Sequence, residues 1–259
     1  MDISVLLCVH DDVRIINCLN SIDVPCEAIV VANNATEQVL SALHNYDSGD
    51  RFDLRIIEIP EKGIGRARDV GAENAKYDKM LFLDSDCRFL PGGIGLVSRL
   101  LDDFLIVDGK IQYEANSFQS RVVSKCRTQS VPDRVFCPGL SMRKEVKPLI
   151  GGYFFDRKLG WLEDSEINKR FQKASVPIGY TEKEIAVHAA LTFSEDLNSA
   201  FKYGMGRQVG IKNGVFEKKL DAIFHLVPSY FKLGFFVGLY LFAWNISYTY
   251  GYIKGKYSR

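Results

Sequence analysis

The amino-acid sequence predicts an α/β protein with a mostly parallel central sheet flanked by helices. Four short apolar runs of strand length alternate with three segments of helical character in roughly the first third of the chain. Such alternation is typical of parallel strands joined by helical crossovers. Polar residues follow three of the four apolar runs, and sheets of this kind bind ligands at the carboxyl ends of their strands. The sequence therefore predicts a sheet with a binding site along one edge.

Seven elements are predicted in this first region, and no long loop separates them. They are strand 3–9, helix 13–22, strand 27–32, helix 37–45, strand 54–59, helix 63–75 and strand 79–83. The third strand alternates apolar and polar residues, so we expect it half-buried or at an edge of the sheet. The rest of the chain is less regular and predicts strands over 105–113, 135–142 and 185–190 and a helix over 160–173.

Composition and charge are ordinary for a globular protein, with 47% hydrophobic and 25% charged residues among 259. A chain of this length holds one large α/β domain, or a domain with a small appendage. The formal net charge of +1 provides no basic field for nucleic acid, so no such partner is expected. The first residues lack the basic leader of a signal peptide. We therefore expect reduced, structural thiols at the six cysteines, which form no C-x-x-C pair: Cys8, Cys18, Cys26, Cys87, Cys126 and Cys137.

Two carboxylates stand close together directly after the fourth predicted strand, in Leu81-Phe82-Leu83-Asp84-Ser85-Asp86. If the chain turns there, Asp84 and Asp86 converge on one point. Adjacent carboxylates repel each other unless one keeps its proton or a cation lies between them. Because hard divalent cations prefer carboxylate oxygens, the position predicts a metal site. A solvated turn is the alternative, since Asp and Ser are common turn residues.

The third predicted helix opens on the segment Gly63-Ile64-Gly65-Arg66-Ala67-Arg68, with two glycines and two arginines. Backbone amides at a helix start and guanidinium groups both suit a diphosphate. The spacing matches neither a Walker A loop nor a dinucleotide fingerprint. A capped surface helix with solvated arginines is the alternative.

Together with several later segments, these motifs follow an order that resembles the family 2 glycosyltransferases. The resemblance covers roughly residues 3–210, and the joint order of the motifs is more specific than any one of them. The matching segments are Ile3-Ser4-Val5-Leu6-Leu7, Ala28-Ile29-Val30-Val31-Ala32-Asn33-Asn34, Gly65-Arg66-Ala67-Arg68-Asp69-Val70-Gly71, Phe82-Leu83-Asp84-Ser85-Asp86, Pro138-Gly139-Leu140-Ser141-Met142-Arg143-Lys144, Gly151-Gly152-Tyr153-Phe154 and Trp161-Leu162-Glu163-Asp164-Ser165-Glu166-Ile167.

For the donor, the resemblance implies a GT-A fold whose first half binds a nucleotide sugar. It assigns Asp84 and Asp86 to a Mg2+ or Mn2+ ion that bridges the donor diphosphate. Ser85 and Arg68 are then expected beside the nucleotide. His188 matches a histidine that family members often place near the metal or diphosphate, although a lone histidine on a short strand is also common in a core.

For the acceptor, the resemblance matches Glu163 and Asp164 to the acidic pair of the family. Asp164 is the expected general base for the acceptor hydroxyl, and attack opposite the leaving group would invert the anomeric configuration. Acids favoured by the helix macrodipole are the alternative explanation of this pair. Trp161 is expected to stack on an acceptor sugar, or to belong to the core, and Gly139 is assigned to the acceptor side.

The nucleotide contacts are less defined. Many relatives carry an aspartate after the second strand, where this chain has Asn33; Asn33, Asp11 or Asp12 could take that place, and His10 belongs to the same polar strand ends. Arg207, which follows a glycine, fits a loop that closes on the diphosphate, with a plain turn as the alternative. A UDP-sugar is the default donor, with GDP and other nucleotides left open. The expected acceptor is a saccharide or a lipid-linked saccharide.

The C-terminal region contains an uncharged apolar stretch over residues 233–251, close to the ~20 residues that span a bilayer. Basic residues flank it on both sides, against the positive-inside bias of a single span. We therefore expect a shallow helix or helical hairpin on the cytoplasmic face of the cell membrane, with a core or oligomer helix as the alternative. The predicted domains are a GT-A domain over 1–215, with a nucleotide-sugar half (1–100) and an acceptor half (101–215), and a membrane-associating segment over 216–259.

The expected function is inverting sugar transfer from a nucleoside-diphosphate sugar in cell-envelope polysaccharide or glycolipid synthesis. A sugar nucleotidyltransferase would share the layout and the metal carboxylates. It would also need a glycine-rich, basic loop after the first strand, where this chain has His10-Asp11-Asp12-Val13. A catalytically inactive, membrane-bound sugar- or nucleotide-binding module is the second alternative, which the retained acidic residues disfavour.

Overall fold

The computed structural model describes residues 1–128, 134–217 and 231–257. A 3-10 helix covers Phe231–Leu233. The other elements, in chain order, are β1 (Ile3–Val9), α1 (Ile15–Asn20), β2 (Glu27–Asn33), α2 (Glu37–His44), β3 (Asp53–Ile59), α3 (Ile64–Asn74), β4 (Lys79–Asp84), β5 (Cys87–Phe89), α4 (Gly93–Asp103), β6 (Ile106–Asp108), β7 (Ile111–Tyr113), α5 (Phe118–Arg127), β8 (Leu140–Arg143), α6 (Val146–Leu149), α7 (Glu163–Ala174), β9 (Ile178–Tyr180), β10 (Ala186–His188), α8 (Phe193–Lys212) and α9 (Phe235–Tyr257).

The chain divides into two compact units, and their boundaries differ from those of the predicted donor, acceptor and membrane-associating parts. The first unit contains Met1–Gln112 and Val131–Ala189, and the second contains Tyr113–Ser130 and Ala190–Arg259. The division into donor, acceptor and membrane-associating parts stays a prediction, because packing alone does not test which part binds what.

The first unit is built on a seven-stranded sheet with the order β3-β2-β1-β4-β8-β6-β9. Strands β3, β2, β1 and β4 run parallel to one another, whereas β8 is antiparallel to both β4 and β6. A second sheet has the order β5-β10-β7. The mostly parallel sheet confirms the predicted fold class, and β3 lies at the edge as its alternating pattern predicted.

Both faces of the large sheet are covered, which explains why its central strands are apolar throughout. All seven residues of β1 are buried. Leu7 belongs to an apolar cluster that includes Leu19 of α1 and Ile94 of α4. Its neighbour Leu6 belongs to a second cluster, with Ala67 of α3. Successive residues of a strand point to opposite faces, so β1 contributes to both layers.

Two predicted strands are wrong in extent. Residues 105–113 form two short strands, β6 and β7, which belong to different sheets. At the break, the Gly109 N–H donates to the carbonyl of Gly139 (3.0 Å), and the Gly139 N–H donates to the carbonyl of Phe82 (3.0 Å). The predicted strand 135–142 is reduced to β8, because Pro138 has no N–H for a ladder hydrogen bond. The other predicted elements are present, with small differences at their ends.

Apart from Tyr113 at the end of β7, the regular elements in the described part of the second unit are helices. The carboxylate of Asp196 in α8 is 1% exposed, and it accepts hydrogen bonds from Arg127 Nε of α5 (2.8 Å) and from the Tyr240 hydroxyl of α9. A Cβ on Gly251 would lie 2.0 Å from the carbonyl oxygen of Phe201, so glycine lets α9 pack against the backbone of α8. The apolar cluster between these helices has four buried residues, Val122, Val123, Val237 and Tyr240.

Helix α9 covers most of the predicted C-terminal segment. Over the described parts of the chain, we find no helix with the length and apolar character needed to cross a membrane. Residues 218–230 and 258–259, which the predicted segment also includes, lie outside the described residues. Association of this segment with a membrane stays a prediction.

Candidate active site

The polar residues predicted for the site lie at one edge of the sheet. Strands β2, β1 and β4 are parallel, and Cys8 is level with both Val31 and Asp84 in their registers. The chain leaves all three strands on the same side. There, His10 follows the last residue of β1, and Asn33 is the last residue of β2. This is the carboxyl edge, at which ligands of parallel sheets bind.

The ends of β1 and β2 are tied together by Asn33 and His10. The Asn33 side chain is buried; its amide donates to the carbonyl of Val9 (2.9 Å), and its Oδ1 accepts from the Gly63 N–H (3.4 Å). His10 Nδ1 donates to the Asn33 carbonyl (3.2 Å), which leaves Nε2 to accept from Lys62 Nζ (2.7 Å). Asn33 thus holds two strand ends and the turn before α3. Its contact with a nucleotide stays a prediction.

Arg68 connects the Asp-Ser-Asp turn to the start of α7. Its side chain is 7% exposed, and Nη2 lies 2.6 Å from Asp84 Oδ1. Nη1 donates to Glu163 Oε1. Since a buried guanidinium requires counter-ions, these two carboxylates explain why an arginine is tolerated inside the fold. By contrast, Arg66 is 38% exposed and pairs with Glu61, so only one of the two predicted arginines reaches the site.

Asp86 faces two side chains that can carry positive charge. Its Oδ2 lies 3.4 Å from His188 Nε2 and 3.7 Å from Arg14 Nη2. The same Arg14 donates to both carboxylate oxygens of Asp12, at 2.9 and 2.7 Å. Burial raises the pKa of Asp86, His188 opposes the increase, and Asp84 adds to it. Burial would also raise the pKa of Asp12, but hydrogen bonds from Arg14 lower it.

A divalent cation fits beside Asp86. His188 Nδ1 donates to the carbonyl of Ala189 (2.8 Å), which places the lone pair of a neutral ring on Nε2, the nitrogen that faces Asp86. A lone pair and a carboxylate repel each other, and a cation between them removes this repulsion. Ligand atoms of Asp86, Cys87 and His188 lie within 4.8 Å of one another. Cys87 suits the ion less, because burial raises the thiol pKa and hard cations prefer oxygen. Among the described residues, this group contains two of the three predicted metal ligands, Asp86 and His188, but not Asp84, which is paired with Arg68.

Glu163 and Asp164 occupy the first turn of α7 but differ in environment. Glu163 is 3% exposed and bound to Arg68. Burial raises the pKa of Glu163 to about 7, although Arg68 opposes the shift. Asp164 is half-buried, and its Oδ1 accepts from the Ser165 N–H (2.6 Å). Asp164 is therefore the carboxylate of the pair that a substrate can reach.

The backbone at the start of α7 is strained. Leu162, directly before the acidic pair, has a φ of 66°, in the left-handed region. A residue with a branched side chain adopts this conformation at a cost of about 1–2 kcal/mol, so the surrounding packing must hold it there.

Helix α3 is clamped to the chain that leads into α7. Asp69 is 3% exposed; its Oδ1 accepts from the Phe155 N–H (3.0 Å) and its Oδ2 from Arg157 Nε (2.6 Å). The Gly65 N–H donates to the carbonyl of Leu159 (3.2 Å). These bonds fix the distance between Arg68 and the acidic pair.

The remaining predicted residues are more dispersed. Ser85 lies in the turn after β4, Trp161 lies half-buried before α7, and the backbone of Gly139 is hydrogen-bonded just before β8. Arg207 lies inside α8, with its guanidinium 4.7 Å from the ring centre of Phe216. The predicted loop or turn at Arg207 is wrong, because a capping box starts a 20-residue helix that includes it. Contacts of these four residues with substrates stay predictions.

Three side chains that hold parts of the candidate site together were not predicted from the sequence. Arg14 follows Asp12 by two residues, and this acidic–basic spacing directly after a strand was the available signal. Lys62 stands immediately before the glycine turn that opens α3. Asp69 carries no local signal, because its partners Phe155 and Arg157 are distant in sequence.

The family model for glycosyl transferase family 2 matches residues 4–146, more than half of the sequence. The matched region contains the three strand ends, Arg68 and the Asp-Ser-Asp turn. The chain belongs to glycosyl transferase family 2. The acidic pair of this family 2 glycosyltransferase lies beyond the matched region. No curated protein matches the sequence.

Solved glycosyltransferase structures share the GT-A fold of this family 2 member. TarS 1–349 of S. aureus is 17% identical with a TM-score of 0.56, covering 99% of this chain and 90% of that chain. The same TarS fragment in complex with UDP-GlcNAc is 15% identical with a TM-score of 0.58 and the same coverage. The mannosyltransferase PcManGT from Pyrobaculum calidifontis, in complex with GDP-Man and Mn2+, is 14% identical with a TM-score of 0.65, covering 98% of this chain and 85% of that chain. At these identities, the likeness shows the fold alone.

Proposed function

We propose that this family 2 enzyme transfers a sugar, with inversion, from a nucleoside-diphosphate sugar to an acceptor hydroxyl and that it requires a divalent cation. One observation carries the proposal: Arg68 links Asp84 at the sheet edge to Glu163 at the start of α7. A donor bound at the sheet edge and an acceptor bound at α7 would have their reacting atoms close together. Such proximity is a large part of what an enzyme supplies.

The donor diphosphate is proposed to bind at the carboxyl edge of the sheet. Asp86 and His188, together with Asp84, would hold Mg2+ or Mn2+. When bound, the cation supplies a Lewis acid that neutralises charge on the departing nucleoside diphosphate. Arg68 holds one oxygen of Asp84 in place, which keeps this metal carboxylate in a fixed orientation.

The nucleoside is proposed to lie against the ends of β1 and β2. His10 with its partner Lys62, Asn33 and Asp12 supply the polar groups there. UDP is the default nucleotide. The UDP-GlcNAc complex of TarS and the GDP-Man complex of PcManGT make UDP and GDP the two nucleotides to compare first.

The acceptor is proposed to bind beside the first turn of α7. Asp164 would take the proton from the attacking hydroxyl, which approaches the anomeric carbon from the face opposite the diphosphate. Glu163 would act on Arg68 and not on the substrate, because its carboxylate is buried against the guanidinium. Trp161 would stack on an acceptor sugar, and Gly139 would approach it through its backbone.

The acceptor class is proposed to be a saccharide or lipid-linked saccharide of the cell envelope, with the enzyme at the cytoplasmic face of the cell membrane. The exposed apolar residues of α9 support this placement, since large exposed apolar patches mark interaction sites.

The deciding experiment measures thermal stability with UDP or GDP, each with Mn2+ or with a chelator. A correct nucleotide at 100 times its dissociation constant should stabilise the wild-type chain by about 2.7 kcal/mol when Mn2+ is present. Asp86→Asn and His188→Gln should lose the Mn2+-dependent part of this stabilisation. Asp50→Asn, which changes an exposed carboxylate elsewhere, is the matched control and should retain it.

Two outcomes would contradict the proposal. If neither nucleotide stabilises the wild-type chain with Mn2+, the donor site is misplaced. If a nucleotide binds with Mn2+ but no nucleoside diphosphate is released from any of its sugar derivatives, the chain is an inactive binding module.

A further inference from the structure

We infer that α9, with the 3-10 helix before it, lies flat in the surface of an anionic membrane. This deepens the proposed function, on which it rests for the membrane-bound acceptor. Helix α9 is packed against α8 and α5 along one side, where Tyr240, Asn245 and Gly251 are buried. With one side occupied by protein, only the opposite side can face lipid. A helix in this situation lies parallel to the membrane plane.

The opposite side of α9 presents large apolar residues to solvent. The exposed fractions of Phe235, Leu239, Ile246 and Ile253 are 67%, 52%, 50% and 51%. At about 100° per residue, seven of the eight exposed large apolar residues of α9 fall within an arc of about 80°, and they extend along about 33 Å of helix. The eighth, Phe236, lies about 40° beyond one edge of this stripe. The stripe consists of Phe235, Leu239, Phe242, Ile246, Tyr250, Ile253 and Tyr257.

An aromatic cluster extends this stripe at the start of α9. The ring centres of Phe118 and Phe236 lie 5.4 Å apart, those of Phe235 and Phe236 5.6 Å, and those of Phe231 and Phe235 6.2 Å. All four side chains are exposed although they contact one another. Phenylalanine clusters of this kind suit the boundary between lipid headgroups and acyl chains.

Charge favours an anionic lipid surface over a second copy of the chain. Residues 231–257 contain Lys232, Lys254 and Lys256, all exposed, and no Asp or Glu. On the helical projection, Lys254 and Lys256 fall about 40° beyond the two edges of the apolar stripe. There they can reach lipid phosphates while the stripe inserts. Two copies packed on this face would bring lysines together with no acidic side chain of the same segment to pair with them.

The test is binding of the full-length chain to vesicles of phosphatidylcholine, with and without phosphatidylglycerol. The double variant Leu239→Gln with Ile246→Gln removes apolar area without adding charge, and its binding to anionic vesicles should weaken about 100-fold. Leu149→Gln is the matched control, because Leu149 is 53% exposed in the first unit, and its binding should equal that of the wild type. Lys254→Gln with Lys256→Gln should lower the preference for anionic vesicles by about tenfold or more.

Nucleotide binding is measured on the same preparations to separate this inference from the proposed function. If the wild type binds nucleotide but neither type of vesicle, the membrane surface is refuted and the donor site is not. If vesicles bind but nucleotides do not, the surface is supported and the proposed function fails. The wild type could instead be a dimer that the double variant Leu239→Gln with Ile246→Gln dissociates. If that variant also leaves vesicle binding unchanged, a second copy of the chain occupies the face and the inference is wrong.

Discussion

Replacing Gly65 with alanine should disturb the link between the two halves of the candidate site. Gly65 lies in the first turn of α3, one turn before Arg68. A methyl group there would lie 2.5 Å from the carbonyl oxygen of Leu159, 2.6 Å from that of Asp156 and 3.2 Å from Cβ of Glu163. The first two contacts are with backbone atoms, which cannot rotate away as a flexible side chain would.

The magnitude follows from these distances. Ordinary contact begins at 3.4 Å, so α3 and the chain before α7 must separate by about 0.9 Å. Overpacking of this size costs about 1–3 kcal/mol, and the higher helix propensity of alanine offsets at most about 1 kcal/mol of it. The same displacement lengthens the bond from Arg68 to Glu163 or to Asp84, and hydrogen bonds weaken steeply with distance. Donor binding should therefore weaken together with stability.

The assay compares Gly65→Ala with Gly71→Ala, a matched change in the same helix. A methyl group on Gly71 would lie 3.4 Å from Val31 Cγ2, which is ordinary contact, so this variant should be neutral or slightly stabilised. Urea unfolding followed by circular dichroism gives the free energies, and calorimetry gives the affinity for nucleotide with Mn2+. If both variants match the wild type in stability and affinity, α3 does not approach the acidic pair as closely as the structure indicates, and the reasoning is refuted.

Three further changes test individual groups. Asp164→Asn should reduce sugar transfer about 10²–10⁴-fold while calorimetric nucleotide binding persists; loss of that binding would contradict a role as base. Burial raises the pKa of Glu163 from 4.5 to about 7, so its contribution to stability is full below pH 4.5 and is lost as the pH rises to about 7. Glu163→Gln should flatten this part of the stability profile in urea titrations with chelator, and an unchanged slope would point to another group. Tyr240→Phe should lower the free energy of unfolding by about 1–3 kcal/mol, because buried Asp196 loses a donor; an unchanged urea midpoint would show that water replaces the hydroxyl.

The sheet and its ligand edge could be predicted because their signals are local. A strand covered on both faces is apolar along its whole length, and β1, β2 and β4 show this directly. Because these strands are parallel, their carboxyl ends lie at the same edge of the sheet. Polar residues that follow separate strands therefore lie close together. Asp84 and Asp86 could be placed in a site by this geometry before any partner was known.

The partners of those residues could not be predicted, because they come from distant parts of the chain. Residue type alone does not distinguish Arg66, which is solvent-facing, from Arg68, which is buried. A usable signal exists in the small residues Gly65 and Ala72, three and four positions from Arg68, since these positions share one helix face. Small residues on a face indicate close packing, and an arginine between them is then an internal one.

The two adjacent acids differ in environment because consecutive helical residues point in directions about 100° apart. Glu163 enters the interior and meets Arg68, whereas Asp164 remains accessible at the start of α7. Through the guanidinium, the charge on Glu163 acts on the orientation of Asp84. Replacing Glu163 with glutamine should therefore affect metal-dependent nucleotide binding, whereas replacing Asp164 should affect transfer alone. On the proposed function, two residues that are adjacent in the sequence would therefore serve the donor side and the acceptor side of the reaction separately.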